Sequence, residues 1–179
     1  MPVFVVLLRG VNVGKANRVP MADWRAVLEG LGHTAPRTLL NSGNAVFRAS
    51  GTSAPAHAKA IAAALRTHLA VDVPVIVKSA KQLDAIVEAN PFPAAASDAS
   101  RLLVAFTQDD EALPALAAVQ PLVEPPEEFA IGRHAAYLYC ARGILESKAG
   151  EAMLGKPGRA ATTRNWATTL KLQALARTA

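Results

Sequence analysis

The run Val3-Phe4-Val5-Val6-Leu7-Leu8 is apolar at every position and contains three valines. Six residues are too few for a free-standing helix, and β-branching favours an extended chain. A strand with one wet face would alternate polar and apolar residues. This one does not, so it reads as a buried strand covered on both faces. The rest of the chain must then supply partner strands on its edges and helices to cover it.

The following residues supply them in a recognisable order. Arg9-Gly10-Val11-Asn12-Val13-Gly14-Lys15-Ala16-Asn17 has two glycines and two asparagines and reads as a structured loop. Beyond Pro20, residues Trp24, Val27, Leu28 and Leu31 recur at helical spacing, with Gly30 or Gly32 as the stop. Arg37 to Leu40 reads as a second strand, Asn41-Ser42-Gly43-Asn44 as a turn, and Ala45 to Arg48 as a third strand. A helix is predicted over Ala56 to Leu69, with Ile61, Leu65 and Leu69 on one side. Asp72 and Pro74 end it, Val75 to Val77 is a fourth strand, and Ser79 caps a further helix over Leu83, Ile86 and Val87. Strand, helix, strand, strand, helix, strand is the split βαβ plan of ferredoxin-like folds, an antiparallel sheet with both helices on one face.

Asn90-Pro91-Phe92-Pro93-Ala94-Ala95-Ala96-Ser97 has linker composition, and the rhythm restarts after it. Arg101 to Phe106 reads as a strand and Asp109 to Ala118 as a short helix with acidic residues in its first turn. Glu127 to Gly132 and Ala135 to Cys140 read as a hairpin, Ile144 to Leu154 as helix-like, and Thr163 to Ala176 as a closing helix carrying Trp166, Leu170 and Leu175. The expected fold is α/β of the α+β kind, with two tandem ferredoxin-like halves whose antiparallel sheets carry helices on one face. The expected domains are 1–92 and a looser 93–179. A chain of 179 residues buries about two thirds of its unfolded surface, enough for two such halves and too little for an eight-stranded barrel enzyme.

Composition narrows the class of partner. Nineteen basic against fourteen acidic residues leave a net charge of +5, which favours anionic partners through the summed field. The basic residues are scattered rather than gathered in the stripe of a nucleic-acid surface. The single cysteine, Cys140, excludes an internal disulfide and a thiolate metal cluster, and suits a reducing, cytoplasmic setting. Met1-Pro2-Val3-Phe4 lacks the basic head of a signal peptide, and no apolar run approaches the ~20 residues of a membrane helix.

Three segments carry a family likeness: Leu8-Arg9-Gly10-Val11-Asn12-Val13-Gly14, Asn41-Ser42-Gly43-Asn44-Ala45-Val46-Phe47 and Thr162-Thr163-Arg164-Asn165-Trp166. In this order they resemble the bacterial family of uncharacterised proteins called DUF1697, over essentially the whole chain. The resemblance implies two ferredoxin-like halves and no catalytic assignment. The chain departs from the family pattern at Lys15, where a second glycine is usual, and at Asn41, where glutamine is common.

The same segments hold the polar residues that stand out against apolar surroundings. Arg9 closes an apolar strand, and a buried arginine must be paired or hold a carboxylate or phosphate. Asn12, Gly14, Lys15 and Asn17 follow it; Ser42 and Asn44 flank the first hairpin turn; Thr163, Arg164 and Asn165 open the expected last helix, with Thr162 or Thr163 as its cap. Gly10 to Lys15 is one residue short of a phosphate loop and has Ala16 where Ser or Thr belongs, so ATP hydrolysis is rejected. The four histidines show no zinc-enzyme spacing and are expected at the surface; Trp24, Trp166 and Cys140 are expected in the core. The leading expectation is a protein that binds a small anionic, nucleotide-like ligand in a polar groove between the halves. The alternatives are nucleic-acid binding through sheet aromatics, and a structural protein that dimerises through exposed sheet edges. Nothing in the sequence selects a reaction, a cofactor or a metal.

Overall fold

A computed structural model describes residues 1–179. The chain divides into two compact units, one of Met1–Leu83 with Leu172–Ala179 and one of Asp84–Lys171. The segment 90–97 is folded into the second unit: Phe92 and Ala95 are buried, Pro93–Ala96 forms a 3₁₀ turn, and the Asn90 side chain accepts from the Phe92 N–H at 3.0 Å.

In the first unit, β1 (Val3–Leu8), β2 (Thr34–Leu39), β3 (Asn44–Arg48) and β4 (Val75–Ser79) form an antiparallel sheet in the order β2-β3-β1-β4. The apolar run is central, paired with β3 on one side and β4 on the other, with Val5 opposite both Val46 and Lys78. Phe4, Val6, Leu8, Phe47 and Val77 project from one face onto α1 (Met21–Gly30) and α2 (Ala54–Leu69). The helices answer with Trp24, Val27 and Leu28 from α1 and Ala58, Ile61 and Leu65 from α2. Fully burying a side chain such as Ile61 or Leu65 contributes about 1.5–3 kcal/mol. Ser53 caps α2 by accepting from the Ala56 N–H at 3.2 Å. Val5, Leu7, Val46 and Ile76 on the second face are buried as well, which is why the run shows no polar alternation. The chain's last residues reach this sheet: Arg37 donates to the Leu175 carbonyl at 3.0 Å and to the Thr178 hydroxyl at 3.2 Å, and Arg48 donates to the Ala179 carbonyl. After β4, α3 (Ala80–Glu88) starts with a reciprocal cap between Ser79 and Gln82, at 3.1 and 2.8 Å.

The second unit repeats the plan. β5 (Leu102–Thr107), β6 (Glu128–Ile131), β7 (Ala135–Tyr139) and β8 (Ala161–Asn165) form an antiparallel sheet in the order β6-β7-β5-β8, the same permutation as in the first unit. It is followed by α5 (Trp166–Arg177), as β4 is by α3. The expectation of two antiparallel α+β halves holds. The first crossover is looser than expected: a 3₁₀ stretch, Asp110–Leu122, stands in place of the short α-helix, with Pro114 and Pro121 inside it. Proline lacks the N–H that an α-helical interior requires. The helix expected from Ile144 divides into a 3₁₀ turn, Ile144–Glu146, and α4 (Lys148–Leu154), because Ser147 caps α4 through the Gly150 N–H at 3.0 Å.

Two strand boundaries differ from the sequence reading. Thr162, Thr163, Arg164 and Asn165 belong to β8 rather than to the closing helix, since every one of them pairs with β5. The cap of α5 is Asn165, which accepts from the Thr168 N–H at 2.9 Å, not a threonine. β2 starts at Thr34, three residues early, because a bulge between Thr34 and Arg37 absorbs the left-handed Ala35 and Pro36. The expectation that every histidine is at the surface fails at His33, which is buried, and at His57, which is half-buried. No helix is long and apolar enough to cross a membrane.

Candidate functional site

The loop 9–20 leaves the end of β1, and the turn 40–43 joins β2 to β3. Backbone bonds fix both to the sheet: the Leu8 N–H donates to the Gly43 carbonyl and the Arg9 N–H to the Pro74 carbonyl, each at 3.1 Å. Asn12 then organises the loop from a left-handed backbone (φ 57°). Its Nδ2 donates to the Val19 carbonyl at 2.9 Å and to the Asn41 carbonyl at 2.7 Å, while its Oδ1 accepts from the Val19 N–H at 2.7 Å. Its own N–H donates to the Asn17 carbonyl at 3.1 Å. Asparagine suits this place because it tolerates the left-handed region and carries two donors and an acceptor on one short stem.

The turn is built with equal economy of space. Gly43 has φ 86°, and a Cβ there would stand 2.6 Å from Leu8 Cβ and 2.8 Å from Val11 Cγ2. Asn44 is fully buried and donates through Nδ2 to the Leu39 carbonyl at 3.0 Å and to Ser42 Oγ at 2.9 Å. The two motifs of the first half are thus parts of one assembly, and their joint appearance in the sequence has a packing reason.

Around Asn12 and Asn41 lie two adjoining clefts. One, of about 240 Å³, is lined by Asn12, Arg18, Val19, Pro20, Met21 and Asn41. The other, of about 290 Å³, is lined by Val11, Asn12, Val13, Leu40, Asn41 and Ser42. The first turn of α1, which follows Pro20 and has no side-chain cap, forms a wall of the first cleft. Val13 and Leu40 expose 74% and 54% of their surface at the second, although both are apolar, and Leu40 holds a left-handed backbone (φ 58°). Arg18 donates to the Gly14 carbonyl at 3.3 Å and closes the tip of the loop. A third hollow of about 280 Å³ between α1 and α2 is mostly apolar, with Asp23 and His68 in its wall.

Of the residues singled out from the sequence, Asn12, Gly14, Lys15, Asn17, Ser42 and Asn44 gather in this loop pair, with Arg9 half-exposed at its root. Asn12 and Asn44 act through bonds to the protein's own backbone, and Asn44 also donates to Ser42 Oγ. Lys15 and Asn17 are exposed. Lys15 is not left-handed, so a lysine there carries no backbone strain. Thr163, Arg164 and Asn165 belong to the second unit. Arg164 is buried and donates to Thr162 Oγ1 at 2.7 Å and to the Thr163 carbonyl at 2.8 Å. Burial lowers its pKa to about 10, so it stays charged at neutral pH. The sequence reading missed Arg18, Asn41, Val13 and Leu40 as lining residues. An apolar Val13 inside a polar loop was a visible signal; Leu40 was not, because a leucine at a strand end reads as core.

A model of the family described as "Protein of unknown function (DUF1697)" matches residues 1–137. The structure is similar to that of a conserved bacterial protein, SP0830, from Streptococcus pneumoniae, at a TM-score of 0.76 and 25% sequence identity, covering 97% of this chain and 98% of that one. No curated protein matches the chain.

Proposed function

The chain belongs to the DUF1697 family, and from that premise we propose that it binds a small anionic molecule at the paired loops of its first unit. One observation carries this reading. Of the eleven residues with positive φ, six (Gly10, Asn12, Gly14, Asn17, Leu40 and Gly43) lie in these two connections, around two clefts that share Asn12 and Asn41. Left-handed backbone at non-glycine positions is costly, and persists where surrounding bonds over-determine it; ligand clamps are a usual setting. The charge has the matching sign. Between Arg9 and Pro20 the chain carries Arg9, Lys15 and Arg18 and no acidic residue, and the turn adds none. Apolar Met21 lines one cleft with Arg18, and apolar Val13 and Leu40 line the other, which suits a ligand with an anionic group and a flat or apolar body, such as a nucleoside monophosphate. The nucleic-acid alternative loses its platform, since Phe4 and Phe47, the aromatics it would use for stacking, are both fully buried.

The test is calorimetric titration of the full chain with nucleoside monophosphates and inorganic phosphate. The Lys15→Ala/Arg18→Ala double variant should bind at least tenfold more weakly with an unchanged melting temperature. Absence of binding up to millimolar concentrations, or equal binding by the variant, defeats the reading.

A further inference from the structure

Four rings meet on the helix-covered face of the first sheet. Phe4 and Phe47 stack with centroids 5.7 Å apart. His33 lies flat on Phe47 at 4.2 Å and 15°. His57 meets Phe4, His33 and Phe47 edge-on at 4.6, 5.2 and 5.9 Å. His33 is only 9% exposed, and the Nε2 atoms of both histidines are sealed from solvent without a hydrogen-bond partner. A buried polar atom with no partner is destabilising. A phenylalanine at either place would offer a ring without that cost, so packing alone does not account for the pair.

The pair also sits against a weakly held element. His33 lies where the chain leaves α1 for β2, its N–H donating to the Leu28 carbonyl at 3.2 Å. The residues around it carry two left-handed backbones, Gly32 and Ala35. Register is broken between Thr34 and Arg37, and Pro36 has no N–H to give to the sheet. β2 is an edge strand, so its first residues have a neighbour on one side only. His57 stands in the first turn of α2, its N–H donating to the Ser53 carbonyl at 3.2 Å. All of this lies at the opposite end of the strands from the Asn12 loop, as the Thr34–Arg48 and Leu39–Asn44 pairs show.

We propose that His33 and His57 form a proton-operated latch, which holds residues 31–36 against Phe47 and the start of α2 while both rings are neutral and releases them when either ring is protonated. The groups facing the pair are Phe4 from β1, Phe47 from β3 and each imidazole from the other. Among charged neighbours, His57 bears on His33. Desolvation by burial holds both below the ordinary value of 6.5, and for His33 the neighbouring His57 lowers it further. The closed form therefore excludes the proton, while the open form accepts it at the ordinary value. The latch is fully closed above that value and loosens as the pH falls below it. The ratio of open to closed rises by up to about tenfold per pH unit for one ring and about a hundredfold for both.

The experiment uses the full chain in solution. Ring titration by NMR and amide exchange, corrected for the intrinsic pH dependence of exchange, are followed from pH 7.5 to 5.5. His33 and His57 should titrate below the ordinary value, and amide protection at residues 32–35 should fall at least tenfold over that range. The His33→Phe/His57→Phe double variant, which keeps the ring packing, should hold its protection constant. Rings that titrate at the ordinary value, unchanged protection in the natural protein, or equal loss of protection in the variant would each overturn the latch. If the variant does not fold, the titration and exchange of the natural protein decide alone.

Discussion

The side-chain amide of Asn12 donates to the backbone carbonyl of Asn41 at 2.7 Å, joining two connections that are 29 residues apart in sequence. The second unit has a tie in the equivalent place. There the Asp110 carboxylate, at the start of the first crossover, meets His134 Nδ1 in the β6–β7 turn at 2.9 Å. In both sheets the connection after the central strand is thus fastened to the hairpin beside it. The first unit does it with neutral groups that fold the loop as well; the second does it with an exposed carboxylate–imidazole contact, which contributes little in water.

Replacing Asn12 by Ala removes three side-chain hydrogen bonds to backbone and places a residue with a less favourable left-handed conformation at φ 57°. At about 1 kcal/mol for each bond, the variant should lose about 2–4 kcal/mol in urea unfolding. A loss below about 0.5 kcal/mol would show that the loop is held by other means.

Gly43 admits no side chain. Alanine there meets Leu8 Cβ and Val11 Cγ2 inside contact distance on a backbone at φ 86°. Overpacking and left-handed strain together should destabilise the protein by about 2–4 kcal/mol. Gly14 is left-handed too but has nothing within 4 Å of its Cβ position, so Gly14→Ala should cost only the strain, about 1–2 kcal/mol. Thermal melts of the two variants side by side test the difference.

Asn165 ends β8 and caps α5, and the Thr169 hydroxyl donates to its carbonyl at 2.9 Å. Asn165→Ala should lower stability by about 1 kcal/mol, and Asn165→Asp, which keeps the acceptor and adds a charge at a helix start, should restore it. Denaturant midpoints at constant slope are the measurement.

Cys140 is fully buried, and burial pushes its thiol up to about 11. Since the thiolate is the reactive form, the native protein should resist a thiol-specific disulfide reagent at pH 8 and take up one equivalent in denaturant. Rapid native labelling would mean that the β7 end opens readily.

Much of the first unit was open to reading along the chain, because its elements are declared by local chemistry. Six apolar residues without alternation named the central strand, Ile61 and Leu65 named the buried side of α2, and the glycine and asparagine clusters marked the loops. Segments whose state depends on a partner were misread. Thr162 to Asn165 has the residue types of a helix start, and pairing with β5 makes it a strand. Asp109 to Ala118 has the acidic opening of a helix, and Pro114 with its neighbours turns it into 3₁₀.

What the sequence determined by itself was the order of the elements in the first unit and the polar character of the loops, since apolar periodicity and turn chemistry act over a few neighbouring residues. Only the tertiary structure decided which loops meet, that Asn12 serves Asn41, that Leu40 is left-handed at a cleft, and that His33 is sealed onto Phe47. Those facts depend on strand order and register, which bring together residues that no local rule connects.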